Sequence, residues 1–345
     1  MADKKTQSVD VKNPLVLRNE WLATVQEDIV DPGRPIIDTH HHLWSEGGLI
    51  EYSLEDLHAD TGSGHNVVKT VFMECHANYR EDGPEHLQSL GEVEFVRDCA
   101  ERSAYIAGEA EIAAMVTAFD LCYPDVNELV DAHEETSGGM FRGIRQALAR
   151  ANPDEGIMLE AHSPEDLYRD ADFLRGMKRL GERGHSYESW HYHYQNPEFA
   201  ALARAVPDTT MVLDHFGTPL GVGVYAGKRD EIFKQWKKDI ADIASCDNTI
   251  AKLGGLAMPD NGWGWMGRDL PPTSDEVVSA QAAYYLHVIE CFTPDRCMFE
   301  SNFPVDKLSL SYHVFWNAMK KIVKDFSEDE KAAMFSGTAT RVYRL

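Results

Sequence analysis

Residues 36–44 read Ile36-Ile37-Asp38-Thr39-His40-His41-His42-Leu43-Trp44. Two β-branched residues lead into three consecutive imidazoles, the pattern of a buried strand whose far end turns polar. Strand side chains alternate, which assigns Asp38, His40 and His42 to one face and Thr39 and His41 to the other. Two neutral imidazoles two residues apart on one strand can grip a single divalent ion, and zinc is the ion they suit best.

Working outward, similar apolar runs recur at 67–74, 111–118, 141–146, 185–190, 210–215, 249–253 and 297–301. Helical patterns lie between or after them at 84–102, 164–181, 197–205, 229–244, 275–291 and 310–324. Strands alternating with helices imply repeated βα units on a parallel sheet. Eight such strands favour a closed barrel, and no Gly-x-Gly-x-x-Gly follows the first to suggest a dinucleotide fold. The expected architecture is α/β: one (β/α)8 TIM barrel over 36–345, preceded by an N-terminal arm over 1–35 that carries Leu15, Leu17, Trp21, Leu22 and Val25. In such barrels the site sits at the C-terminal ends of the strands. The long connection from Gly254 to Ser274 has little helical periodicity. Loops of this length are commonly lids, so Trp263 and Trp265 are expected to face the substrate.

Composition narrows the function classes. Of 345 residues, 57 are acidic and 33 are Lys or Arg, a formal net charge of -24 that repels phosphate backbones and anionic lipid. The expected partner is therefore a small-molecule substrate, with neither nucleic acid nor membrane; a homo-oligomer stays open. No run is long enough to span a bilayer and no apolar signal segment opens the chain, so the expected address is cytoplasmic. Six scattered cysteines without a Cys-x-x-Cys pair read as reduced thiols.

Several segments together carry a family resemblance. The opening Asp38-Thr39-His40-His41-His42-Leu43-Trp44 is similar to the D-x-H-x-H-x-W start of the metal-dependent-hydrolase-like amidohydrolases, the branch that includes sugar lactonases and pyrone-dicarboxylate lactonases. Gly143-Ile144-Arg145 resembles the family's fourth-strand G-x-R, and Ser186 to Gln195 its fifth strand. Asp214-His215-Phe216-Gly217-Thr218-Pro219 resembles its D-H-x-G-x-P, and Lys252-Leu253-Gly254-Gly255-Leu256 its seventh strand. Gly337 to Tyr343 resembles its closing helix. The resemblance implies that His215 joins His40 and His42 in the site as a third metal ligand.

One position departs from the pattern. Where the family reads G-S-D-x-P after the eighth strand, this chain reads Glu300-Ser301-Asn302-Phe303-Pro304. The resemblance implies an aspartate there that orients or deprotonates the attacking water and can ligate a metal; a carboxamide has no basic oxygen near neutral pH, so Asn302 can orient water but cannot take its proton. Glu300, on the parity of Asn302 but deeper, is the expected substitute base, with Glu74 and Asp306 as further carboxylates. Arg145 is the expected electrophile toward a carbonyl or carboxylate. Glu74, Tyr192, His193 and Lys252 complete the expected substrate contacts.

The function this implies is hydrolysis of a small cyclic ester, a lactone, at the C-terminal face of the barrel. It proceeds either with a divalent metal ion, zinc first, or without metal through histidine and arginine hydrogen bonds. A metal-dependent decarboxylase or hydratase of the same superfamily is the alternative enzyme. A barrel that binds a small ligand without turning it over is the non-enzymatic one.

Overall fold

The computed structural model describes residues 9–11, 15–45 and 47–345. Its centre is an eight-stranded parallel sheet in sequence order. The strands are β1 (Ile36–His41), β2 (Val67–Met73), β3 (Glu111–Thr117), β4 (Phe141–Arg145), β5 (Ser186–Ser189), β6 (Met211–Leu213), β7 (Thr249–Leu253) and β8 (Cys297–Phe299). Between β8 and β1 the ring is bridged by the Asn302 amide on the His40 carbonyl, 3.0 Å, and the His42 amide on the Phe303 carbonyl, 2.8 Å. The expected (β/α)8 barrel is the observed one.

A helix follows each strand: α1 (Leu54–Thr61), α2 (Leu90–Ala104), α3 (Val126–Thr136), α4 (Ala171–Glu182), α5 (Asn196–Ala205), α6 (Arg229–Ala244), α7 (Ser274–Phe292) and α8 (Tyr312–Ile322). Apolar periodicity did not reveal α1 and α3. At 8 residues α1 is barely two turns, too short for a periodic stripe. Its mark is local: Ser53 and Asp56 exchange hydrogen bonds in a capping box, and Asp125 caps α3 through the amides of Asn127 and Glu128.

Two layers of side chains fill the barrel. Outside the strands, residues such as Phe72, Met115, Ile144, Tyr187, Leu253 and Phe299 pack against the helices. Inside, Ile37, Val71, Val116, Val212, Ile250 and Met298 form a separate apolar cluster, joined by Ala339 and Tyr343 of the closing helix Thr338–Tyr343. Two residues further along their strands stand Asp214, Lys252 and Glu300, all buried. Because inward positions recur every second residue, one strand parity supplies an apolar floor and then a charged layer above it.

On β1 the alternation breaks. Its register against β2 shifts between Asp38 and His41, so Ile37 and His40, three residues apart, both face inward. Asp38 does not share the histidine face, because its carboxylate accepts from the Tyr312 hydroxyl at 2.9 Å and the Ser301 amide at 2.8 Å. It ties β1 to α8 and to the turn after β8.

The segment before β1 lies along the mouth. Leu15 packs in a cluster with Trp44, Leu159, Met258 and Val305. The Trp21 indole donates to the Asp269 carbonyl, 3.1 Å. Strand Val9–Val11 pairs antiparallel with Leu159–Ala161. Among the described residues no helix is long and apolar enough to cross a membrane.

Candidate active site

Several strands stop earlier than their apolar runs, and the residues just beyond them build the site. β6 ends at Leu213, and His215 follows with φ +52. β8 ends at Phe299, and Asn302 follows with φ +56. These left-handed positions turn side chains into the barrel mouth, which a continued strand would carry past it.

His40, His42 and His215 meet there. The Nε2 atoms of His40 and His42 are 3.2 Å apart, and the His40 and His215 ring centroids 4.6 Å. His41, pointing the other way, stands edge-on to Phe72 in the outer layer. Glu300 underlies the meeting: its Oε1 accepts from His215 Nδ1 at 2.7 Å, and its Oε2 lies 2.8 Å from His40 Nδ1. Two glycines make this approach possible. A Cβ on Gly255, whose φ is +71, would stand 2.1 Å from His215 Nδ1, and one on Gly254 would stand 2.5 Å from Glu300 Cγ.

The nitrogen partners fix the tautomers. His42 Nδ1 faces the Met73 carbonyl at 2.9 Å, which can only accept, so the Nδ1 of His42 carries the proton. Two groups compete for His40 Nδ1, Glu300 at 2.8 Å and the Lys252 ammonium at 3.4 Å. Arg145 Nη1, which can only donate, stands 3.3 Å from His40 Nε2, which places the lone pair there and the proton on Nδ1. Burial, reinforced by Lys252 beside His40 and by Arg145 beside His42, holds both imidazoles far below their ordinary pKa and therefore neutral. Two Nε2 lone pairs thus face each other at 3.2 Å. Two nitrogens 2.0–2.1 Å from a tetrahedral zinc would be roughly 3.3–3.4 Å apart, so the donors fit a divalent ion.

Two donor sets share His40 and His215 and differ in the third member, His42 or Glu300. His40, His215 and Glu300 offer ligand atoms within 4.8 Å of one another. Glu300, however, sits at hydrogen-bond distance from both Nδ1 atoms, the position of a carboxylate that orients metal-binding histidines from behind. His40 and His215 belong to both sets.

Above the histidines is a cavity of about 80 Å3. Its polar lining is His42, Glu74, His76, Arg145, His215 and Asn302; its apolar walls include Trp44, Leu49, Leu159, Trp190, Met258 and Val305. Arg145 donates from Nε to Glu74 Oε1 at 2.7 Å and from Nη2 to the Glu74 carbonyl, and its Nη1 lies 3.3 Å from His40 Nε2. Glu74 Oε2 is buried and has no hydrogen-bond partner. Asn302 donates to Asp306 Oδ1 at 2.9 Å, and burial pushes the Asp306 carboxyl up to about 7. A larger surface cleft of about 610 Å3 between α3 and α4 contains none of the histidines.

Other expected contacts lie elsewhere. Lys252 is sealed beneath the site against Glu188, Asp214 and Glu300. Tyr192 is buried, its hydroxyl donating to the Leu159 carbonyl at 2.7 Å; His193 Nδ1 accepts the Leu220 amide at 3.3 Å. Because β5 ends at Ser189, alternation stops before these residues, and Trp190 takes the cavity wall. Trp263 and Trp265 do not face the mouth. They stack on each other at 5.6 Å, Trp263 donates to the Leu256 carbonyl, and the Arg229 guanidinium covers its ring at 3.6 Å. The loop reaches the cavity through Met258 instead. Asp260 in that loop accepts the Met158 and Leu159 amides at 2.7 and 2.8 Å, tying together two segments that roof the site. Glu300 is absent from the cavity lining, both its oxygens lying against imidazoles.

Sequence reading missed the charged layer as a unit. Burial pushes Glu188 up to about 7 against the pull of Lys252. Burial would also lower Lys252, but Glu188, Asp214 and Glu300 overcome it and leave the ammonium firmly charged. The available signal was strand parity, since Asp214, Lys252 and Glu300 follow the inward apolar positions Val212, Ile250 and Met298 by two. Lys252→Met is expected to destabilise the fold by about 3–5 kcal/mol, the cost of buried charge left without its partner. The check is the midpoint of urea unfolding; an unshifted midpoint would mean that the carboxylates simply take up protons.

Comparisons with known proteins identify the family. The amidohydrolase family profile matches residues 37–345. An uncharacterised protein, y4mH, of Sinorhizobium fredii is 31% identical over 331 residues, covering 90% of this chain and 98% of the relative. An L-fucono-1,5-lactonase of Burkholderia multivorans is 27% identical over 321 residues, covering 90% and 96%. A solved amidohydrolase structure from Burkholderia multivorans with bound zinc shares the fold at TM-score 0.69 and 23% identity, covering 90% of this chain and 99% of that one. The barrel, the histidines at its mouth and the match over nearly its whole length make this chain an enzyme of the amidohydrolase family.

Proposed function

We propose that the enzyme opens a small, uncharged lactone by hydrolysis at the barrel mouth. The observation that carries this reading is the pair of unprotonated Nε2 atoms facing each other beneath a cavity that also holds an unpartnered carboxylate oxygen. The nitrogen pair can hold an ion that would polarise a carbonyl oxygen, and the carboxylate oxygen can accept a proton from water, the two requirements of ester hydrolysis. The similarity to an L-fucono-1,5-lactonase supports the same class.

A divalent ion held by His40, His42 and His215, zinc being the best match to three imidazoles, would supply a Lewis acid at the carbonyl oxygen. Glu300 holds the His40 and His215 rings in the tautomer that keeps their Nε2 atoms free of protons. Arg145 Nη1 stands beside His40 Nε2 and adds a second positive pole to the carbonyl site. Glu74 Oε2 is the surrogate for the family's aspartate, placed to take the proton of the attacking water. Asn302, anchored to Asp306, orients water or substrate without exchanging a proton.

The cavity also points to an uncharged substrate. Arg145, the guanidinium in the lining, already holds Glu74 through Nε and Nη2, which leaves no bidentate fork for a substrate carboxylate. Trp190 Nε1 is a buried donor without a partner, suited to a ring or hydroxyl oxygen of the substrate. Apolar walls then cover the rest of a small ring.

The test is a panel of five- and six-membered aldonolactones and of pyrone dicarboxylates, assayed by acid release with metal-quantified enzyme, before and after chelation. Turnover of neutral lactones, lost on chelation and restored by zinc, is the expected result. CO2 release from aromatic carboxylates with every lactone left intact would replace this reading with decarboxylation.

A further inference from the structure

Lactone hydrolysis produces a proton that must leave the cavity. Water adds to the carbonyl carbon and the ring C–O bond breaks. One water proton ends on the ring oxygen as a hydroxyl. The other leaves with the base that activates the water, so the product is a carboxylate, the stable form at neutral pH of an acid with an ordinary pKa of about 3.5. Each turnover therefore exports one proton. The histidines beneath the cavity offer no route: His40 and His42 are buried, and the Nδ1 atoms of His40, His42 and His215 face Glu300 or a backbone carbonyl.

His76 is differently placed. It lines the same cavity, its side chain is 36% exposed while that of Glu74 is 4% exposed, and its Nε2 lies 3.6 Å from Glu74 Oε2. That oxygen is the buried one without a hydrogen-bond partner. Its backbone is held in the left-handed region at φ +60, an uncommon state for a non-glycine residue, and the ring lies against Tyr79 with centroids 5.1 Å apart. An imidazole between a buried carboxylate and solvent can accept a proton at one nitrogen and release another from the second.

We propose that His76 is the proton exit of the site: Glu74 takes the proton from water, passes it to His76 Nε2, and His76 releases one from Nδ1 to solvent. The separation of 3.6 Å is within the reach of a small ring movement or one bridging water, and such contacts commonly tighten when substrate binds. This rests on the hydrolytic reading above.

The test uses His76→Ala and His76→Asn, assayed on a lactone that the wild type turns over, in dilute buffer and then with increasing imidazole. Asparagine tolerates the left-handed backbone, so His76→Asn keeps the measurement meaningful if the alanine variant folds poorly. The expected result is a kcat lowered by about 10²-fold, the lower end of the contribution of a positioned proton carrier. KM should change little, and free imidazole should restore part of kcat in a saturable way. Wild-type enzyme in the same imidazole series controls for removal of metal. Unchanged kcat in both variants, or a loss indifferent to imidazole and to buffer strength, overturns the exit role while leaving lactone hydrolysis intact. A wild-type enzyme that opens no lactone overturns both.

Discussion

Glu74→Gln is expected to lower kcat by about 10²–10⁴, the usual contribution of a general base, while the protein stays folded. The structure separates the two oxygens of this carboxylate by role. Oε1 accepts from Arg145 Nε at 2.7 Å, and Oε2 is buried without a partner at the cavity. Glutamine can keep the first contact by turning its carbonyl oxygen toward Arg145. Its NH2 group then faces the cavity, where it donates and cannot accept a proton. Shape and the guanidinium contact are preserved and only basicity is lost. The measurement is kcat per folded enzyme with metal content matched to wild type. A retained kcat would remove Glu74 as the base and shift suspicion to Asp306, the carboxyl behind Asn302 that burial pushes up to about 7.

The barrel was legible because its evidence is periodic. The eight strands fall where apolar, β-branched runs lie, and long helices such as α6 and α7 show their buried stripes. What escaped was local: α1 and α3 declare themselves through caps. The histidines were legible for a different reason, since two imidazoles on one strand parity at a strand end have few structural uses. The substrate contacts were read less well because the strands stop short. Tyr192, His193, Trp263 and Trp265 were placed by extending alternation or loop length into segments where the backbone obeys neither, so Trp190 and Met258 hold the walls instead. Glu300 shows the limit of parity: its face was right, but a position deep on a strand brings it to the backs of imidazoles, whereas a base must reach the water in front of them. That distinction depends on two consecutive glycines after β7, whose missing side chains leave the space that His215 and Glu300 occupy.

Glu300→Gln follows from that placement, and its expected signature is a loss of metal affinity. Glu300 accepts from His215 Nδ1 at 2.7 Å, and its second oxygen stands 2.8 Å from His40 Nδ1, so one carboxylate faces two imidazoles. Glutamine offers one oxygen acceptor and one NH2 donor in the same space. Whichever imidazole meets the NH2 group must present a lone pair at Nδ1, which moves its proton to Nε2. The Nε2 lone pair of that ring is then lost to the site. Removing a group that orients metal-binding histidines typically costs 10–100-fold in metal affinity or activity. The variant should therefore lose zinc to a chelator about 10–100-fold more readily than wild type and recover much of its kcat when zinc is supplied at saturation. If Glu300 were instead the proton acceptor, zinc affinity would be unchanged and kcat would stay depressed at saturating metal. The double variant Glu300→Gln with Asn302→Asp separates the schemes again. A new carboxylate at residue 302 stands at the cavity, so it can replace a lost base but cannot reach behind His40 and His215 to restore their tautomers. A kcat that stays depressed in Glu300→Gln at saturating zinc and is restored by the added carboxylate would contradict the orienting role assigned to Glu300.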